Sequence, residues 1–132
     1  MAASDYVETI IQKLMFGRVP ATFPPTYYYG LSSTPIADDG SGITEPSGGG
    51  YTRVSYPNTS DLFSFPGGAA ANGTAIQFPT ASLSWGGANY WFSSDMSSGG
   101  TMHFRGSINP AQTINAGDRP YFEIGSLTIT MD

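Results

Sequence analysis

Apolar and hydroxyl side chains alternate along residues 126–131. The apolar positions are Leu127, Ile129 and Met131, and the hydroxyl positions are Ser126, Thr128 and Thr130. Because successive side chains of a strand point to opposite faces, the pattern predicts a strand with one face on the core. The other face points outward or onto a neighbouring chain, which makes Thr128 and Thr130 candidate subunit or partner contacts.

Residues 4–16 have the pattern of an amphipathic helix. Ser4 can cap it, and Asp5 and Glu8 lie where the helix dipole favours anions. Apolar residues recur at spacings of three and four, at Tyr6, Val7, Ile10, Ile11, Leu14 and Met15. Such a stripe needs a cover, either the β core of the same domain or another subunit. In the second case Tyr6, Ile10 and Leu14 are the predicted contacts.

From residue 26 onward the chain reads as short strands. Tyr27, Tyr29 and Leu31 alternate with smaller or outward positions in a first strand. Further strands are predicted at 51–56, 74–78, 82–85, 88–93, 101–107, 120–124 and 126–131. Turn residues separate nearly all of them, which is typical of an antiparallel β-sandwich or jelly-roll-like domain. The predicted fold class is therefore mainly β, with one N-terminal α-helix.

Composition is consistent with one such domain over residues 1–132, with the helix at 4–16 and the β-sandwich at 26–132. The chain has 132 residues, 17 glycines and 10 prolines, and only 11% of its residues are charged. Residues 32–50 are polar and rich in glycine, so we expect them to form an exposed loop. Residues 61–71 look like an insertion. Phe63 and Phe65 within it belong either to the core or to a partner contact.

Charge and hydropathy exclude two classes of partner. The net charge is -5, and the five basic residues are scattered, so no phosphate-neutralising stripe exists and nucleic acid is not an expected partner. Nowhere do eighteen apolar residues run together, and the N-terminus lacks the pattern of a secretory signal. We therefore expect a soluble protein and no membrane partner.

The residues offer little for catalysis or cofactor binding. The single histidine, His103, should share an exposed strand face with Thr101 and Arg105, and the ten carboxylates are dispersed. No metal site, cofactor site or catalytic residue is predicted. One weak alternative is an ion bound at Asp38 and Asp39 in the acidic glycine loop.

Aromatic clusters at 27–29 and 90–92 leave a second alternative open. Exposed aromatic rings can stack on sugars, but in alternating strands half of each cluster must be core. Packing or subunit contact is the favoured interpretation for most of these rings.

The order of motifs resembles a family of small tailed-bacteriophage virion proteins that are often labelled tail fibre proteins. The motifs follow the N-terminal helix in this order: Tyr-Tyr-Tyr-Gly-Leu at 27–31, an acidic glycine loop ending at Glu45, Ser-Gly-Gly-Gly-Tyr-Thr-Arg at 47–53, Ala-Ile-Gln-Phe-Pro at 75–79, Trp-Gly at 85–86, Ser-Gly-Gly at 98–100, Ile-Asn-Ala-Gly-Asp at 114–118 and Gly-Ser-Leu-Thr-Ile at 125–129. The resemblance implies a virion structural protein without catalysis or cofactor, on the outer surface of the phage particle.

Two locations in the virion follow from this resemblance. A compact chain without a coiled coil or repeated shaft suits an oligomeric knob, so capsid decoration, as a cement protein on the major capsid protein, is the first prediction. The alternative is a tail-fibre or tail-associated module that binds a receptor or glycan. Partners in either case are other virion proteins and further copies of this chain, with a trimer as one candidate.

Overall fold

The computed structural model describes residues 2–17, 23–59, 62–64 and 69–129. The fold is mainly β, and every strand pair is antiparallel. One helix, α1 (Asp5–Met15), lies near the N-terminus, so the predicted fold class is confirmed at this level. The jelly-roll connectivity stays a prediction. Phe65, Thr130 and Met131 lie outside the described residues.

The described residues contain ten strands besides this helix. They are β1 (Ala2–Ala3), β2 (Thr26–Ser32), β3 (Val54–Pro57), β4 (Phe63–Ser64), β5 (Ala70–Asn72), β6 (Ile76–Gln77), β7 (Gly86–Ser94), β8 (Met102–Ile114), β9 (Tyr121–Phe122) and β10 (Thr128–Ile129). They form a five-stranded sheet in the order β1-β8-β7-β2-β3, a three-stranded sheet β10-β5-β4 and the pair β6-β9.

One face of the five-stranded sheet packs against residues from the two smaller sheets. The sheet contributes Tyr27, Tyr29, Leu31, Ala88, Trp91 and Ile114 to this main core. The opposite side contributes Leu62, Ile76, Phe78, Ala81, Trp85, Leu127 and Ile129. The burial of Tyr27 and Tyr29 around the half-buried Tyr28, and the burial of Leu127 and Ile129, match the predicted period of two, whereas the second half of β2 is buried throughout.

A second, smaller core covers the other face of the same sheet. It is built from Ile36, Phe92 and Met102. The Phe92 ring lies directly over Gly30, where an added Cβ atom would come within 2.3 Å of Phe92 Cζ. The glycine in the tyrosine strand is therefore required by the close approach of an aromatic ring.

Asn72 is a fully buried polar residue that ties β5 to the segment before β10. Its Nδ2 donates to the carbonyl oxygens of Thr74 (3.0 Å) and Glu123 (2.9 Å), and its Oδ1 accepts a hydrogen bond from Leu127 N (2.9 Å). Burial of this amide is tolerated because its donors and its acceptor are satisfied.

Two strand predictions and one loop prediction need correction. Residues 82–85 are not a strand; Trp85 N instead donates to Ile114 O, and its indole donates to Gly49 O at 2.8 Å. Within the predicted insertion at 61–71, residues 63–64 and 70–71 are not plain loop, because β4 pairs with β5. The strand predicted at 101–107 continues to Ile114.

Most of the predicted loop at 32–50 is outside regular strands, but it is anchored to the domain. Ser32 belongs to β2 and is buried, and Ile36 is also buried, whereas most of the other side chains are exposed or half-buried. Glu45 receives hydrogen bonds from Tyr51 and Arg53. The loop is thus attached to the domain by the buried Ile36 side chain and by the hydrogen bonds of Glu45.

Candidate assembly surface

The first turn of α1 is fixed by main-chain hydrogen bonds to the five-stranded sheet and to the loop at 32–50. Ser4 Oγ accepts a hydrogen bond from Val7 N at 3.3 Å, which confirms the predicted cap. Ser4 N donates to His103 O (2.9 Å), and Asp5 N donates to Asp38 O (3.2 Å). Because β1 also pairs with β8, the entry to the helix is held from two sides.

Near this helix, the predicted exposure of His103 is wrong. The sequence predicts an exposed strand face shared with Thr101 and Arg105, but His103 is only 3% exposed. The pairing register explains the difference. Ser93 faces Phe104 and Ser94 faces Met102, so His103 is an extra residue in a β-bulge and leaves the simple alternation.

The imidazole of His103 lies between two tyrosine rings. Edge-on contacts join it to Tyr6 (5.3 Å between ring centroids) and to Tyr27 (5.5 Å), and Nδ1 lies 3.0 Å from Thr101 O. Burial lowers the pKa of His103, against smaller opposing effects from the Thr101 carbonyl and from Asp95. The neutral ring therefore supports the helix as a packing residue and not as an exposed acid or base.

The apolar stripe of α1 is only partly covered. Val7 is buried and Ile10 and Ile11 are half-buried, whereas Tyr6 is 46% and Leu14 41% exposed. Met15 and Phe16, at the end of the helix, are 73% and 72% exposed. Within the described part of the chain, the domain thus leaves the C-terminal end of the apolar stripe exposed to solvent. We refer to Tyr6, Ile10, Leu14, Met15 and Phe16 as the helix face.

The other candidate contacts have different surroundings. Thr128 is exposed on β10, which is an edge strand of the three-stranded sheet. Phe63 is half-buried and packs against the main core, which favours the core interpretation of that residue over an open contact patch. Phe65 and Thr130 lie outside the described residues. The structure brings Tyr6, Ile10 and Leu14 together on one helix and leaves Thr128 on a separate sheet edge.

A family model covers nearly the whole chain. The model is described as podophage GP4 fiber I protein gp80, and it matches residues 2–130. The chain belongs to this family. The predicted resemblance to phage tail fibre proteins is therefore confirmed, and the chain is a phage virion structural protein of the fibre I family. No curated protein matches the chain.

Two pairs of oppositely charged residues of this fibre I family member are engaged with each other. Asp38 forms an ion pair with Arg105, and Asp39 Oδ1 accepts a hydrogen bond from Ser41 N at 2.9 Å. Hydrogen bonding from the Ser41 side chain, and then from its main chain, lowers the pKa of Asp39. Glu45 is bound by Arg53. In the described ranges no three histidine or acidic residues come together as a metal site would require. The weak ion site at Asp38 and Asp39 thus has one of its two carboxylates committed to a cation already present.

The sequence pattern missed one member of the helix face. Phe16 follows the predicted stripe directly and precedes Gly17, whose N–H donates to Leu14 O at 3.2 Å with φ at 62°. An aromatic residue immediately before a helix-ending glycine was the available signal.

In the described residues of this fibre I protein, no helix is both long and apolar enough to cross a membrane.

Proposed function

We propose that this chain is a non-catalytic component of a phage tail fibre and that it assembles through the helix face. Membership of the fibre I family supports the tail-fibre location, which was the alternative in the sequence analysis. Capsid decoration gains no specific support from that match and stays a prediction. The observation that carries the proposed mechanism is the row of exposed apolar side chains at the end of α1.

The energy available from this surface is substantial. Fully burying one large apolar side chain contributes roughly 1.5–3 kcal/mol. Tyr6, Leu14, Met15 and Phe16 still expose between 41% and 73% of their area. Covering them would therefore contribute several kcal/mol toward association, which offsets part of the cost of lost translational and rotational freedom.

The attachment of α1 suits it to this role. Its first turn is held by Ser4, Asp5 and the β1 strand, so the position of the helix on the domain is defined before a partner arrives. Its last turn presents Leu14, Met15 and Phe16. A contact made by side chains on a preformed helix costs less conformational entropy than one made by a disordered segment.

Further copies of the same chain and other tail proteins are the proposed partners. Each chain carries a net charge of -5, so like-charged surfaces repel one another wherever no apolar contact offsets the repulsion. The helix face contains no charged side chain. Association in a symmetric oligomer, with a trimer as one candidate, would bury this neutral surface in every copy. The assembled protein would lie on the outer surface of the particle after synthesis in the host cytoplasm.

A pair of lysine substitutions tests the proposal. Leu14→Lys places a charge on the helix face, and Ser98→Lys places the same charge in an exposed loop outside α1. We expect Leu14→Lys to reduce oligomer mass in light scattering and incorporation into particles, while Ser98→Lys leaves both unchanged. Equal incorporation of both variants would contradict assembly through the helix face.

Location is tested separately. A phage carrying an epitope-tagged copy of the chain is imaged after antibody labelling. Label at the tail supports the proposal, and label distributed over the head lattice would replace it with capsid decoration.

A further inference from the structure

A groove of about 580 Å³ lies beside the main core, away from α1. Its floor contains the buried side chains Leu31, Ala88 and Ile114. One wall is the second half of β8, and the other is the segment that includes β9. Its size falls within the range of protein sites that hold small organic ligands.

The β8 wall is shaped by an irregular register. Ala88 pairs with Gln112 and Tyr90 pairs with Ser107, so residues 108–111 bulge away from β7 opposite Asn89 alone. Pro110 lies in this bulge and has no N–H to donate. The wall therefore does not offer the continuous row of donors and acceptors that an added peptide strand would need.

Polar and aromatic groups at the groove have unused binding capacity. Tyr121 is 56% exposed, and its hydroxyl donates a long hydrogen bond, of 3.4 Å, to Glu123 Oε1. Arg119 donates from Nε to Phe78 O at 3.1 Å, and among the described residues its other guanidinium nitrogens make no hydrogen bond. The same holds for the exposed amide of Asn109.

We infer that this groove binds a neutral pyranose unit of a saccharide. A pyranose has one face of C–H groups, which can stack on the Tyr121 ring, and a rim of hydroxyls that both donate and accept hydrogen bonds. Arg119 supplies donors, Glu123 supplies acceptors and Asn109 supplies both. A tyrosine that is apolar on its ring and polar at its tip is well suited to such a ligand.

The charges at the groove favour a neutral sugar over an acidic one. Asp118 and Glu123 line it together with a single cation, Arg119. A carboxylated or phosphorylated sugar would meet two like charges for each opposite charge. The site also differs from the tyrosine cluster considered in the sequence analysis, because Tyr27 and Tyr29 are buried in the core. The use of such a site in host recognition rests on the proposed fibre function, whereas saccharide binding itself does not.

The test uses the purified full chain. Binding to an array of bacterial and hexopyranose glycans identifies bound sugars, and titration with neutral methyl pyranosides, followed by NMR, measures affinity. We expect a neutral pyranoside to bind, Tyr121→Ala to weaken it at least about fivefold, and Tyr121→Phe to retain most of the affinity because the ring remains. Phe23→Ala removes an exposed aromatic ring outside the groove and is the matched control.

Three results would overturn the inference. They are the absence of binding by any neutral pyranoside up to its solubility limit, binding restricted to acidic sugars or peptides, and equal affinity in the wild type and in folded Tyr121→Ala. Thermal unfolding of each variant establishes that it is folded. Oligomer mass of Tyr121→Ala should match that of the wild type, so failure here is distinguishable from failure of assembly through the helix face.

Discussion

The guanidinium of Arg53 holds both carboxylate oxygens of Glu45. Nε lies 2.9 Å from Oε1, and Nη2 lies 2.9 Å from Oε2. The remaining nitrogen, Nη1, donates to the carbonyl oxygens of Met96 (2.8 Å) and Gly99 (2.9 Å). One buried side chain therefore joins two loops that are more than forty residues apart in sequence.

Removing this guanidinium should destabilise the fold strongly. Arg53 has only 5% of its side chain exposed. Arg53→Met leaves Glu45 with the Tyr51 hydroxyl as its remaining donor and removes one donor each from Met96 O and Gly99 O. We expect a loss of about 3 kcal/mol in the free energy of unfolding, measured by urea denaturation. Arg105→Met is the matched control. It breaks the more exposed pair with Asp38, and its expected cost is below about 1 kcal/mol. Similar losses in the two variants would show that burial of the pair does not matter.

Gly30 should tolerate no side chain. A Cβ atom there would lie 2.3 Å from Phe92 Cζ, and the ring is fully buried in the smaller core. Gly30→Ala is therefore expected to cost about 2 kcal/mol through overpacking. Gly87→Ala, in the neighbouring strand, meets its nearest atom at 3.4 Å and should cost less than half as much. Thermal unfolding of the two variants makes the comparison, and an equal effect would contradict the close contact.

Sequence pattern predicted the parts of this fold that are governed by local periodicity. The Ser4 cap, the tyrosine strand and the burial of Leu127 and Ile129 follow from spacing alone. Periodicity could not reveal the β-bulge at His103, because an extra residue is defined only by the partner strand. The same is true of β4, a two-residue strand that exists only because it pairs with β5.

The candidate site was predicted only in part for a similar reason. The helix stripe was visible in the sequence, but how much of it the sheet covers is decided by tertiary packing. The groove at Tyr121 could not be predicted, because it lies between the end of β8 and β9 and is shaped by a bulge in the pairing of β8 with β7, which the sequence of β8 alone does not reveal.

His103 should make stability depend on pH. Its pKa is lowered in the folded chain, so the native state keeps it neutral, whereas the unfolded state binds a proton below a pH of about 6.5. As pH falls below that value, the unfolded state takes up more protons and the contribution of His103 to stability is lost. In His103→Gln this site does not titrate, and the shared carboxylates cancel in the comparison. The stability difference between wild type and variant should therefore shrink between pH 7 and pH 5, and a constant difference would contradict the prediction.

Thr128 provides a second test of assembly that is independent of the helix. Its side chain is exposed on the edge strand β10, so Thr128→Lys should leave the fold intact and weaken assembly. Ser98→Lys places the same charge in an exposed loop and should assemble normally. Light scattering gives the oligomer mass of both. Normal assembly of Thr128→Lys would remove this sheet edge from the proposed contacts.

Deamidation of the buried Asn72 would report how often this part of the domain opens. Asn72 is followed by Gly73, a pair in which the main-chain nitrogen readily attacks the side-chain amide and releases ammonia. In the fold, Gly73 N donates to Leu62 O at 2.8 Å, and the Asn72 amide is held by three hydrogen bonds, so the ring closure needs β5 to separate from its neighbours. Deamidation at this one position, followed by mass spectrometry in stored particles, would accumulate in proportion to the time that this part of the domain spends open.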